Sequence, residues 1–421
     1  MTREWAGIVV LTVAAICRMA VAEVAVDDRM PGGNVLFGGI EGDTVRVRGD
    51  MRDSDVTWFY WAFRVTGAEG RTLKFDFSGA ESWASVGSRG PAVSFDRGET
   101  WEWGDILQPA PVDPKTKDHL DPRGFTWTFA KGDGEVWFSQ TLPYGTREWT
   151  RFVDSHMSDY GRIFTTNELC RSRKGRQVEA GRFGRLDGKA RHRIYLTARH
   201  HAQEASASFV LEGILATFFA DDELGRWLRE EVEVRCVPFS DKDGVVDGDQ
   251  GKGRMPHDHA RDYCPGRPQI YPEVAANMAA VRAWKPTVVM DIHSPWLRGD
   301  WFKKDDSNEF AYQVGYTNLT HAARQSRFAG ILERTQDGSL DYRRSDDYWY
   351  GRGWNAGGNW TKGKSLAVWA TETLPDAALV TAFEIPFANA RFRTLHPDDF
   401  RAFGRDIVRA LKEFLGSSSG D

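Results

Sequence analysis

His192-Arg193-Ile194-Tyr195-Leu196-Thr197-Ala198-Arg199-His200-His201-Ala202-Gln203-Glu204 is the stretch on which the reading of this chain turns. His192 to Thr197 is an apolar run of strand-forming residues. Ser206 to Phe219 follows, with Phe209, Val210, Ile214, Leu215 and Phe218 at the spacing of one helical face. Working outward, the same grammar recurs: a strand Val232–Val237, a helix around Pro272–Trp284 and a strand Thr287–Ile292. A closing helix follows, with Asp398 as N-cap and Phe403, Ile407, Leu411 and Phe414 on one face. Strands alternating with helices predict an α/β domain over 156–416, its sheet mixed but largely parallel and flanked by helices. Residues 417–421 read as a disordered tail.

Upstream the grammar differs. Thr57–Val65, Leu73–Phe77, Phe125–Phe129 and Glu135–Phe138 are short aromatic or alternating runs set off by Gly, Asp and Pro. They predict an all-β sandwich over 23–155 with no helix of normal length. At 421 residues with 41% hydrophobic residues and 17 Trp, the chain can bury a large core, which excludes a disordered protein. A formal net charge of −5 lacks the basic field that a nucleic-acid partner requires.

The first 22 residues read as a signal peptide: Arg3, an apolar core from Ala6 to Ile16, and the small-residue site Ala20-Val21-Ala22. The expected location is therefore secreted or periplasmic, without stable membrane insertion after cleavage. Cleavage would leave Cys170, Cys236 and Cys264. Cys236 lies in an apolar run and reads as a buried strand thiol, and a Cys170–Cys264 bridge stays open.

The polar loop after the first strand carries the chemistry. His201 and Glu204 are three residues apart, so both can face one point at a strand's C-terminal tip, where α/β sheets collect their ligands. Asp291-Ile292-His293 ends another apolar strand and offers a second imidazole. His, Glu and His with an open fourth position form the pattern of a catalytic zinc site.

Strand–His201-x-x-Glu204 leads to Pro238-Phe239-Ser240-Asp241-Lys242-Asp243-Gly244-Val245, then Asp258-His259-Ala260-Arg261, then Asp291-Ile292-His293. This order resembles the zinc metallocarboxypeptidase family, carboxypeptidase A-like. The segment Trp58–Val65 and Leu142-Pro143-Tyr144-Gly145 resemble the β-sandwich of its cytosolic carboxypeptidase branch. The resemblance implies one Zn²⁺ per chain held by His201, Glu204 and His293. It implies a general base at Glu384 in Ala382-Phe383-Glu384-Ile385-Pro386, with Glu372 as the weaker competitor. It also implies a substrate carboxylate paired with Arg261, and a peptide or protein C-terminus as substrate. Lys252 and Arg254 compete for the cation that stabilises the transition state; Arg254 is assigned that catalytic role and Lys252 a substrate-binding one. A substrate-capping tyrosine is sought in Tyr348-Trp349-Tyr350.

The chain departs from the family where N-P-D-G becomes Asp241-Lys242-Asp243-Gly244 and D-x-N-R becomes Asp258-His259-Ala260-Arg261. His257 and His259 could fill the place of the missing amide at Ala260, although both also read as surface loop histidines. These departures bear on the carboxylate clamp more than on zinc hydrolysis. Two alternatives stand beside the carboxypeptidase: a zinc amidohydrolase acting on small acylated amino acids or cell-wall peptides, and a non-catalytic binding protein using the Trp-rich sandwich.

Overall fold

The computed structural model describes residues 23–55, 59–77, 86, 89–104, 123–295, 310–360, 362–391 and 393–417. The expected signal peptide, Trp58 and all of the expected tail except Ser417 lie outside the described residues.

The aromatic runs form strands β1 (Ala25–Asp27), β2 (Leu36–Glu41), β3 (Thr44–Arg48), β4 (Ala62–Thr66), β5 (Thr72–Asp76), β6 (Ala92–Ser94), β7 (Glu102–Trp103), β8 (Gly124–Thr128) and β9 (Glu135–Ser139). They make a five-stranded sheet, β1-β4-β9-β6-β7, and a four-stranded sheet, β2-β3-β5-β8. Alternate side chains of both sheets enclose one core that includes Trp61, Phe63, Phe75, Phe125 and Phe138. Phe75 stacks on Phe125 at 4.8 Å between centroids and meets Phe138 at 5.4 Å.

Strand β4 is shorter than its sequence predicts because a side chain takes over its start. The backbone N–H groups of Phe59 and Tyr60 donate to Gln250 Oε1 at 3.0 and 2.9 Å, in place of a neighbouring strand. The expectation of no helix in this region fails at its end. Helix α1 (Thr146–Tyr160) contains residue 155 and buries Trp149, Phe152 and Val153 in the main core of the following sheet. Its start was visible in Gly145 and Glu148, whose carboxylate accepts the Gly145 N–H at 2.8 Å.

The second sheet is built on the chain order β10 (Phe164–Arg171), β11 (Gln177–Gly184), β12 (His192–Ala198), α2 (Ala205–Ala216), α3 (Glu223–Glu231), β13 (Val232–Val237), α4 (Lys242–Asp247), α5 (Pro272–Trp284), β14 (Val288–His293), β15 (Tyr312–Gln313), α6 (Leu319–Thr335), α7 (Gly357–Trp360), α8 (Leu366–Thr373) and β16 (Leu379–Glu384). A short hairpin, β17 (Asn389–Ala390) and β18 (Arg393–Thr394), precedes α9 (Pro397–Gly416). The strand order is β10-β11-β13-β12-β14-β16-β15. The four inner strands β13, β12, β14 and β16 run parallel, while β11 and β15 pair antiparallel with their inner neighbours.

Period-two alternation then sorts the faces. Ile194, Leu196, Met290, Ile292 and Phe383 pack towards α2, α6 and α9. Tyr195, Val289, Val380 and Ala382 pack towards α5 and α8. By the same parity Asp291, His293 and Glu384 stand on the α5 and α8 face.

Helices α2 and α9 touch closely because Gly213 and Gly404 face each other's backbones, where a Cβ would collide with Arg401 O and Val210 O. The N-cap of helix α9 is His396, two residues before the expected Asp398: Pro397 takes the first helical position and Asp399 accepts the His396 N–H at 2.8 Å, so Asp398 lies in the first turn. Cys236 is buried in β13 as expected, and Cys170 and Cys264 are free thiols, so the bridge left open between them is not formed.

Candidate metal centre

The chain leaves β12 through Arg199 in the left-handed region at φ 62°. The buried guanidinium fixes the turn that follows, donating to Ala202 O at 2.9 Å from Nε and to Tyr144 O at 2.6 Å from Nη1. This places His201 and Glu204, the residue before α2, over the sheet edge where β14 delivers His293. In the parallel register His293 lies directly beside Glu384 of β16. Gly251 lets a second loop press against this turn, since a Cβ there would strike Ala202 N and Gln203 Oε1.

The three donors converge. His201 Nδ1 lies 2.7 Å from Glu204 Oε1 and His293 Nδ1 lies 2.9 Å from Glu204 Oε2. One donor atom of each falls within 4.8 Å of the others. The far nitrogens are held from behind: His201 Nε2 by Asp258 Oδ1 at 3.2 Å, and His293 Nε2 by Asp291 Oδ2 at 2.9 Å. A carboxylate behind an imidazole fixes the tautomer and raises its basicity, the usual backing of a metal-binding histidine.

A second grouping of His200, Asp291 and His293 is also compact. There, however, His200 is spent on Asp291 Oδ1 at 2.8 Å and Tyr263 OH at 2.6 Å.

The ionisable groups at this point act strongly on one another. Burial opposes ionisation of Glu204, yet the imidazoles of His201 and His293 pull its carboxyl down to about 2. Burial likewise opposes a charged His293, but Asp291 and Glu204 raise its pKa well above the ordinary value. Two imidazoles and a carboxylate in such a field fit a zinc-type ion. Beside them Glu384 behaves differently: burial pushes its carboxyl up to about 8, against the pull of His293 and with the help of Glu204. Its Oε2 has no hydrogen-bond partner.

A cavity of about 680 Å³ opens on this group and is lined by His201, Glu204, His293, Glu384, Lys252, Arg254 and Arg261, with Tyr316 and Trp354. The basic residues separate by environment. Arg254 is buried in a carboxylate cage, 2.9 Å from Asp249 Oδ2 and 3.2 Å from Asp241 Oδ2. Lys252 is partly exposed and lines the cavity from behind His201, its Nζ 3.4 Å from His201 Nε2 and 3.5 Å from Asp258 Oδ2. Arg261 lines the cavity half-buried, with no carboxylate in ion-pair range among the described residues. The loop carrying Lys252 is anchored to the N-terminal sheets: Asp55 N–H donates to Gly253 O, Met255 N–H to Asp53 O, and Gln250 Nε2 to Tyr60 O.

Other candidates fall elsewhere. Glu372 lies on α8 in an ion pair with Lys364. Tyr348 is buried on Tyr312 at 4.6 Å and Tyr350 is exposed, so the tyrosine that reaches the cavity is Tyr316, outside the expected segment. His257 lines the cavity, but His259 is fully buried against Glu273 instead of lying on a surface loop. Asp258 and Asp291 escaped the sequence reading as partners of the histidines. The D-x-H spacing of Asp291 and His293 was the available signal, since i and i+2 on a strand share a face.

The chain is 25% identical over 152 residues to cytosolic carboxypeptidase 6 of Mus musculus and 27% over 164 residues to cytosolic carboxypeptidase 2 of Xenopus tropicalis. These matches take in 35% of this chain, and 28% and 17% of those proteins, so the likeness spans under a third of either relative. The chain is related to the zinc metallocarboxypeptidases, through the cytosolic carboxypeptidase branch. The carboxypeptidase-like fold extends much further than the sequence likeness. A metallo-carboxypeptidase from Burkholderia cenocepacia superposes with a TM-score of 0.72 at 17% identity, over 94% of this chain and 100% of that one. A metallo-carboxypeptidase from Pseudomonas aeruginosa, solved with (2-guanidinoethylmercapto)succinic acid, gives 0.69 at 19% identity over 93% and 99%. No protein-family model matches the chain.

Proposed function

We propose that this chain is a zinc-dependent carboxypeptidase that hydrolyses the peptide bond next to a free C-terminal carboxylate. The observation that carries the reading is the convergence of His201, Glu204 and His293 beside an unpartnered Glu384 carboxylate oxygen on one cavity wall.

His201, Glu204 and His293 would hold the ion. Bound there, zinc supplies Lewis acidity towards water and the scissile carbonyl. Glu384, raised in pKa yet able to ionise near neutrality, takes the proton of the attacking water and returns it to the leaving amine nitrogen. Lys252 lines the cavity and acts electrostatically on Glu384, so it brings a positive charge to the wall where oxyanion character develops. The Arg261 fork receives the substrate carboxylate in two parallel hydrogen bonds. In this arrangement Arg254 holds the loop, and Lys252, assigned to substrate binding from the sequence, also takes the transition-state role assigned there to Arg254.

The test is a panel of peptides with free and amidated C-termini, digested by protein of known zinc content and read by mass spectrometry. Stepwise loss of terminal residues from the free peptides alone is expected. Equal cleavage of the amidated peptides would move the reading to an amidohydrolase.

A further inference from the structure

A second set of donors lies behind the first. Asp241 caps α4 at the end of β13, His259 follows Asp258 in the next loop, and Glu273 sits in the first turn of α5. All three are at most 1% exposed, and one donor atom of each lies within 4.8 Å of the others. His259 Nε2 is 3.2 Å from Glu273 Oε1. Three further buried atoms are left without a hydrogen bond: His259 Nδ1, Glu273 Oε2 and Asp241 Oδ2, the last having only the Arg254 ion pair at 3.2 Å.

Charge makes the same point. Asp241, Asp249 and Glu273 gather three carboxyl groups in this interior, where Arg254 is shared between the two aspartates. A divalent cation among these groups would give their unpaired buried atoms a partner. Burial alone would depress His259, yet the hydrogen bond to Glu273 and the nearby Asp241 raise its pKa against the pull of Arg254.

We propose that Asp241, His259 and Glu273 form a second, structural metal site for a zinc-type divalent ion. One imidazole and two carboxylates suit zinc and its first-row neighbours, and Glu273 Oε2 has no hydrogen-bond partner to compete for it. Magnesium and calcium fit poorly, because they favour oxygen shells and magnesium keeps several waters. The ion would tie three separate chain segments together at the short turn His259–Arg261. That turn is flanked by Asp258, which backs His201, and carries Arg261 into the cavity. Its role is to hold these two side chains in register, and it stands independently of the proposed reaction.

The test is metal content by elemental analysis after exhaustive gel filtration in metal-free buffer, on wild type, H293A, E273Q and H259Q. Two zinc per chain are expected in wild type and one in each variant, with zinc-edge anomalous scattering from wild-type crystals showing two peaks. Wild type with one zinc, retained in E273Q and H259Q and lost in H293A, would overturn the second site and leave the first intact. Two zinc retained in H293A would count against the catalytic centre alone. Should E273Q and H259Q fail to fold, the number of anomalous peaks in wild type decides.

Discussion

Asp291→Asn should remove His293 as a metal ligand without touching it. Asp291 Oδ1 accepts from Thr197 Oγ1 at 2.7 Å and His200 Nδ1 at 2.8 Å, while Oδ2 accepts from His293 Nε2 at 2.9 Å. An asparagine keeps two of these three bonds only if its oxygen takes the Oδ1 place, which turns its NH₂ towards His293. Nε2 must then accept, and the imidazole proton moves to Nδ1, the atom that faces Glu204. A protonated Nδ1 cannot coordinate. Changes behind a metal-binding histidine typically cost about 10–100-fold in affinity, or roughly 1.4–2.8 kcal/mol. D291N should reach the upper end, because it inverts the tautomer as well as weakening the support. Competitive titration against a chromophoric chelator measures the loss, and ¹⁵N resonances of the His293 ring report the proton's position. A D291N protein that binds zinc as tightly as wild type, with His293 still protonated on Nε2, would refute this account of the site.

Other outcomes follow from the same geometry. Burial lifts Glu384 from 4.5 to about 8 without a cation, so its contribution to folding is fully present below pH 4.5 and is lost as pH rises towards about 8. In chelator, the melting temperature of E384Q relative to wild type should climb between these limits and level off above; a constant difference would mean that Glu384 titrates ordinarily. Arg254→Met should cost about 3–5 kcal/mol by leaving Asp241 and Asp249 buried unpaired. Denaturant unfolding measures this, and lost activity at unchanged stability would restore the catalytic role assigned from sequence. Lys252→Ala should lower kcat/KM by about 10²–10³, in the range of a lost oxyanion partner, with zinc retained. Recovery in K252R would mark the effect as electrostatic.

Much of the α/β sheet was legible because its inner strands are apolar runs and the helices between them carry one periodic face. The metal-binding trio was legible for a related reason: strand tips in a parallel sheet point to one edge, so residues ninety positions apart in sequence converge. The roles of the basic loop residues were not legible. Lys252 and Arg254 are two residues apart, and only the tertiary position of Asp241 and Asp249 decides which of them is enclosed. His259 went astray in the same way, since a histidine in a polar loop gives no sign that α5 will close over it with Glu273. Helix α1 was missed although Gly145, Glu148 and the Trp149, Phe152, Val153 spacing were present, because the strands before it set the expectation.

The anchoring of the Lys252 loop on the N-terminal sheets has a consequence for how the chain can be divided. Cut between Ser139 and Thr146, the C-terminal piece would keep His201, Glu204, His293 and Glu384 but lose the backbone and side-chain groups that shape residues 248–255. The cation facing the substrate would then be carried by a strand of polypeptide with nothing to mould it. Neither portion is a free-standing module to be swapped or trimmed, and any engineered variant must inherit both surfaces of that seam as a matched pair.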